Sequence, residues 1–287
     1  MKKITILLIL LLFFLPLRSF ADVVVGDMII TLGESLSEEQ KNKILSEMNA
    51  PTDAQIITVT NAEEHKYLGN YIAKSIIGTQ TFSSSAITIA AKNSGLEVET
   101  NNINWVTDEM YINALITAGV KDAKIYITAP FEVSGTGALT GLIKAYEISA
   151  DKAIPEDVKQ AANEELVTSA ELGDSIGTEK ASALITKIKE DIANQQPKTE
   201  ADIRVIVENA AKELGITLTE EQLQSLIDLF NKLKDLNIDW NQVNDQLTIA
   251  KDKISTYLES EEGQGFLESI KQFFINLIDA IKSFFSK

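Results

Sequence analysis

The chain has 287 residues, with 42 acidic against 26 basic side chains, one histidine and no cysteine, for a formal net charge of −16. Such an acidic surface repels polyphosphate, which excludes nucleic acid as a charge-driven partner and argues against anionic lipids or wall polymers. The absence of cysteine removes disulfides, thiolate nucleophiles and iron–sulfur ligation, and a lone histidine, His65, excludes a multi-histidine metal site. No cofactor is expected, and no metal.

Lys2 and Lys3 precede an apolar run from Ile4 to Leu15, then Pro16 breaks the helix and Ser19-Phe20-Ala21 offers small residues two positions apart. This is the pattern of a secretory signal peptide cleaved after Ala21, leaving a chain that begins at Asp22. A twelve-residue apolar helix covers only about 18 Å, short of the ~30 Å hydrocarbon slab. The leader takes three basic residues with it, so the remainder carries a charge of about −19. An extracellular or cell-surface location follows as the expectation.

From residue 22 to about 150, short β-branched runs alternate with helix-like segments. Strands are predicted at Val23–Leu32, Gln55–Val59, Ala86–Ala91, Leu96–Thr100 and Lys124–Thr128, with Gly95 suggesting a hairpin between the third and fourth. Ser37 and Gln40 form a capping box at a helix start, and helices are predicted at Ala62–Ser75, Asp108–Ala118 and Gly137–Ile148. The pattern implies a mixed α/β layer fold rather than a pure parallel sheet.

Beyond about residue 150 the strand-like runs vanish. Ala181, Leu184, Ile185, Ile188 and Ile192 share one helical face, as do Ile203, Ile206, Val207, Ala210 and Leu214. Leu218-Thr219-Glu220-Glu221-Gln222 repeats the capping pattern, and Val243, Leu247, Ala250, Ile254 and Tyr257 mark a further helix. The predicted class is therefore α+β, with a mixed α/β domain over 22–150 and an all-helical region over 151–287. Asn194 to Lys198, around Pro197, is the best linker and a possible hinge.

Ser134-Gly135-Thr136-Gly137 follows a strand and opens a helix, so its free amides could hold a phosphate or carboxylate. A tight turn that lets helix and sheet approach is the alternative. The spacing through Gly141, G-x-G-x-x-x-G, departs from a dinucleotide fingerprint. Ser83-Ser84-Ser85 is a second hydroxyl cluster, which would line a polar cleft if it lay beside Ser134 and Thr136. Otherwise it is a turn before a strand. His65, within a polar helix, reads as a surface histidine.

Asp235-Leu236-Asn237-Ile238-Asp239 superficially resembles a calcium loop, but Trp240 stands where glycine is required and Gln246 where a bidentate glutamate closes the coordination. Among the many carboxylates, Glu132 and Glu147 are the least arbitrary choices for acid–base work. On the last predicted helix, Phe266, Ile270, Phe273, Phe274, Leu277, Ile278, Ile281, Phe284 and Phe285 form an apolar stripe opposite charged residues. That stripe suits packing within a bundle or homo-oligomer, with peripheral membrane contact as the alternative.

The segment Thr128–Glu147, TAPFEVSGTGALTGLIKAYE, resembles the signature of the YpuA-like exported proteins of Gram-positive bacteria. Val25-Gly26-Asp27, the stretch 56–69 with Thr60, Asn61, Glu64 and His65, and Glu171-Leu172-Gly173-Asp174 are similar as well. The resemblance implies an extracytoplasmic protein of the cell envelope, in a family of unknown function without assigned catalytic residues or cofactor. The expected role is a non-enzymatic binding or interaction protein, with an unidentified envelope component or protein as partner. Its alternatives are a wall-directed hydrolase using carboxylates and a membrane-surface protein using the last helix.

Overall fold

The structure, a computed structural model, describes residues 25–259, with side chains described to residue 250. The leader therefore lies outside the described residues, as do Phe266, Phe273, Phe274, Leu277, Ile281 and Phe284.

Five strands, β1 (Met28–Gly33), β2 (Gln55–Val59), β3 (Ser84–Ile89), β4 (Leu96–Ile103) and β5 (Ala123–Val133), form one sheet in the order β2-β1-β3-β5-β4. Strand β1 runs parallel to β2, β4 runs parallel to β5, and central β3 is antiparallel to both of its neighbours. Four strands thus share one direction around a single reversed strand. The hairpin expected at Gly95 does not form, because β5 lies between β3 and β4. Burial decides this order. Strand β3 is apolar or small on both faces and must be central, whereas β4 alternates Glu97, Glu99 and Asn101 outward and suits an edge.

Helix α1 (Glu38–Glu47) covers one face of the sheet, where Leu36, Ile44 and Met48 pack on Ile30, Leu32 and Ala86. The other face, with Ile29, Ile87, Ile125 and Ile127, carries α4 (Asp108–Thr117) and α5 (Thr136–Ser149). Between β2 and β3 run α2 (Asn61–Leu68) and the short α3 (Lys74–Ile77), so the predicted helix over 62–75 is broken after Leu68. Ser37 accepts from the Gln40 amide at 3.3 Å while Gln40 accepts from the Ser37 amide at 2.9 Å, the predicted capping box. Thr219 and Gln222 repeat it.

The helical half comprises α6 (Glu156–Ile176), α7 (Thr178–Gln195), α8 (Glu200–Glu213), α9 (Glu220–Asp235) and α10 (Trp240–Glu259). Helix α6 serves two cores at once. Val158, Ala162, Leu166 and Ala170 join the core over the sheet, and Ala161 and Leu172 join the bundle core of Leu184, Ile188, Ile206, Ile227 and Phe230. Around 194–198, α7 ends at Gln196 in the left-handed conformation and Pro197 is buried. Asp239 accepts from the amides of Asn241 and Gln242, each at 3.1 Å, and so caps α10, while Trp240 packs against both cores. Among the described residues no helix is long and apolar enough to cross a membrane.

Candidate functional site

The shared direction of β1, β2, β4 and β5 brings their carboxyl ends to one edge of the sheet, the edge at which open α/β sheets bind ligands. Glu34 follows β1, Thr60 and Asn61 follow β2, Ser134–Gly137 follow β5, and Thr81 and Ser83 enter β3 from the same side. The two hydroxyl clusters thus reach the same edge, but no hydrogen bond joins Ser83–Ser85 to Ser134–Gly137 among the described residues. Ser83 and Ser84 are buried, and Ser84 Oγ accepts from the Gly33 amide at 3.3 Å. The Ser85 and Thr31 hydroxyls pair at 2.5 Å. Among the described residues Ser134 Oγ meets only Thr136 Oγ1, at 3.4 Å.

The glycines of the loop are required, each for its own reason. Gly135 has φ +89°, and a Cβ there would lie 2.5 Å from both Ile103 Cγ2 and Tyr111 Oη. Its carbonyl accepts from the buried Tyr111 hydroxyl at 2.5 Å. Gly135→Ala is therefore expected to destabilise the protein by about 2 kcal/mol or more, read as a lowered urea midpoint.

Gly137 makes room for a carboxylate. A Cβ on it would sit 1.6 Å from Glu64 Oε1, so the space over the first turn of α5 is filled by the chain's own Glu64. Glu64 is only 4% exposed. Burial pushes its carboxyl up to about 7, against the pull of the Thr81 hydroxyl, the Asn61 amide and His65, and with the Glu34 charge adding to the rise. Asn61 Nδ2 donates to Glu64 Oε2 at 3.2 Å, and the Asn61 backbone amide donates to Glu34 Oε1 at 2.5 Å. His65 is half-buried rather than free at the surface, and its Nε2 lies 2.8 Å from the Gly78 carbonyl, which fixes Nε2 as the donor. A carboxyl with this affinity for protons has the range of a general acid or base, but it is sealed beneath α5.

A polar pocket of about 200 Å³ opens beside this cluster, between α2, α5 and α6. Its walls are Glu63 and Tyr67, Thr140, Ile143, Lys144 and Glu147, and Lys159 and Asn163. Lys144 Nζ donates to Glu63 Oε1 at 2.7 Å and to the Thr58 carbonyl at 3.0 Å. Lys159 Nζ spans both oxygens of Glu147 at 3.1 and 3.2 Å. Burial raises Glu63, but the Lys144 ammonium and the Thr60 cap outweigh it and hold the carboxyl below its ordinary value. For Lys159, burial opposes the charge and the Glu147 pair prevails, raising its affinity for protons.

Two buried polar atoms on these walls have no hydrogen-bond partner, Thr140 Oγ1 and Asn163 Oδ1. The Asn163 amide is oriented by its Nδ2, which donates to the Lys159 carbonyl at 2.8 Å.

Of the carboxylates singled out from the sequence, only Glu147 lines this pocket. It accepts from the Ile154 amide at 2.7 Å as well as from Lys159. Glu132 is exposed at the end of β5, 3.5 Å from Asn104 Nδ2. Glu132 does not line the pocket that Glu147 lines, so the two are not gathered at one site. Among the described residues no group of three or more His, Cys, Asp and Glu is placed to hold a metal ion.

Glu64, Thr140 and Asn163 were not singled out as site residues from the sequence. Gly137 and Gly141, four apart on α5, were the available signal. Such a pair marks a helix face pressed closely by something, here Glu64 at Gly137 and Thr31 with Val59 at Gly141.

Residues 32–250 match the model of a family described as a protein of unknown function, DUF1002. The chain is 58% identical over 289 aligned residues to the uncharacterized protein YpuA of Bacillus subtilis (strain 168), covering 99% of this chain and 100% of that relative. No solved structure matches the chain. A family match over most of the sequence, joined to a near full-length relative, places this protein in the DUF1002 family of unknown function.

Proposed function

We propose that this protein is exported and acts outside the cytoplasm as a non-catalytic binding protein of the cell envelope, with its ligand site in the pocket between α2, α5 and α6. The observation that carries the binding role is the pocket itself, a polar recess between three helices where Lys144 and Lys159 stand beside Glu63 and Glu147. Binding is favoured over hydrolysis because Glu147 is held by Lys159 and the Ile154 amide, and Glu132 does not share its pocket. Export is supported by the basic start, short apolar run and small residues of positions 2–21.

Fractionation of cells with intact-mass measurement tests the location. Recovery of a species beginning at Asp22 from the medium or envelope is expected, and full-length protein confined to the cytosol overturns the proposal. Incubation of the exported form with isolated cell wall tests the role. Retention on the wall without soluble fragments is expected, whereas release of fragments that is abolished by Glu147→Gln would establish the hydrolase instead.

A further inference from the structure

We infer that Glu64 is a proton-operated latch on the seam between α2 and α5, which holds the two helices together beside the pocket while protonated and lets them part when it ionises. The motion stands on the surroundings of Glu64 alone. Its consequence, control of access to the ligand site, rests on the binding role proposed above.

The seam is closed over a carboxyl that has nothing to support a charge. Helix α5 lies so close that a Cβ on Gly137 would come within 1.6 Å of Glu64 Oε1, and Glu64 is buried. Its polar neighbours are neutral, the Asn61 side-chain amide at 3.2 Å and the Thr81 hydroxyl. Among the described residues no ion pair reaches it. A carboxylate so placed has neither water nor a paired cation, so charging it in the closed seam is costly, and parting the helices restores its water.

The charged groups around it do not supply the missing partner. Glu34, beyond β1, is a second carboxylate and adds to the repulsion. Glu63 on α2 and Lys144 on α5 are paired with each other at 2.7 Å. On α6, Glu156 pairs with Lys66, and Lys159 with Glu147. His65 can carry a favourable charge, but its Nε2 is turned to the Gly78 carbonyl at 2.8 Å.

The same seam borders the pocket. Glu63 and Tyr67 of α2 face Thr140, Ile143 and Lys144 of α5 across it, and the Glu63–Lys144 ion pair spans the gap. Parting the helices therefore widens the pocket and uncovers Thr140, which is buried while the seam is closed. The direction follows from the proton. Burial raises the Glu64 carboxyl to about 7 in the closed form against 4.5 in water, so the closed form is favoured at low pH and opening grows as pH rises between these values.

Because the chain has no cysteine, a thiol introduced at Thr140 reports on the seam alone. The exported form carrying Thr140→Cys is labelled with a small thiol reagent, with and without Glu64→Gln, and the ratio of the two rates cancels the titration of the thiol itself. That ratio is expected to rise about 20-fold between about pH 5.5 and pH 7.5. Labelling is also expected to be insensitive to low urea, as for a local opening. A ratio that stays level with pH overturns the latch, and so does a rate that climbs with urea in step with global unfolding. His65→Gln is expected to keep the rise, and its loss in that variant would make the histidine the switch instead. Hydrogen exchange at the Glu63, Glu64 and Ala138 amides reads the same opening without the cysteine. Protection that falls with pH in the wild type but not in Glu64→Gln is expected, and equal protection in the two overturns the latch. Neither readout uses a ligand, so failure here leaves retention on the cell wall standing, and failure of that retention leaves the latch standing.

Discussion

Lys189→Met is expected to cost the folded state about 3–5 kcal/mol, the typical penalty for breaking one side of a buried ion pair. Lys189 and Glu165 are both 0% exposed, on α7 and α6 respectively, and their charges meet at 3.0 Å. The ammonium has a full set of three acceptors, Glu165 Oε1, the Asn113 carbonyl at 2.6 Å and Thr117 Oγ1 at 2.7 Å. The Thr117 hydroxyl donates in turn to Glu165 Oε2 at 2.5 Å, so the second carboxylate oxygen is satisfied too. Burial alone pulls the Lys189 ammonium toward its neutral form, and Glu165 opposes that pull. Truncating the lysine strands the carboxylate in a dry site. The double variant Lys189→Met with Glu165→Leu removes both charges and is expected to recover most of the loss. Urea midpoints at pH 7 for the two singles and the double decide the matter, and a double variant no more stable than the worse single would contradict it.

The second large effect is a dependence of stability on pH set by Glu64. Its carboxyl titrates at about 7 in the folded protein against an ordinary value of 4.5, so between these limits the folded state holds a proton that the unfolded chain has released. Stability is then fully present below pH 4.5 and falls as pH rises toward 7. A shift of this size corresponds to about 3 kcal/mol. Glu64→Gln keeps the shape and removes the titration. Relative to that variant, the wild type is expected to lose about 3 kcal/mol between pH 4.5 and pH 8 in parallel urea titrations. Curves for the two proteins that run parallel over this range would show that Glu64 ionises no differently in the folded state.

Much of the architecture was legible in local chemistry. The capping boxes at Ser37 and Thr219 form as read, because a hydroxyl and a glutamine three residues apart need only each other and the helix start. The faces built from Ala181 to Ile192 and from Ile203 to Ala210 are buried as their spacing requires. Strand pairing was harder, since Gly95 favours a turn locally but says nothing of which strand fills the space beyond it. The polar alternation of Glu97, Glu99 and Asn101 held that information, as the mark of an edge.

The site divides in the same way. The loop at Ser134–Gly137 was visible from its glycines, but Glu64 looks like any glutamate on a polar helix until α5 is laid over it. Asn163 is likewise ordinary in sequence. It joins a pocket only because α2, far back in the chain, meets α5 and α6 there. Lys189 sits four residues beyond Ile185 on an apolar face, where a lone cation was the hint of a partner on another element.

Helix α6 gives one set of side chains to the layer over the sheet and another to the bundle, so the two halves are built around a common beam. Severing the chain near residue 150 would strip the outer covering from α4 and α5 and leave Leu139, Leu142 and Ile143 short of a neighbour. Loss of α6 would likewise open the bundle, since each core draws side chains from that one helix.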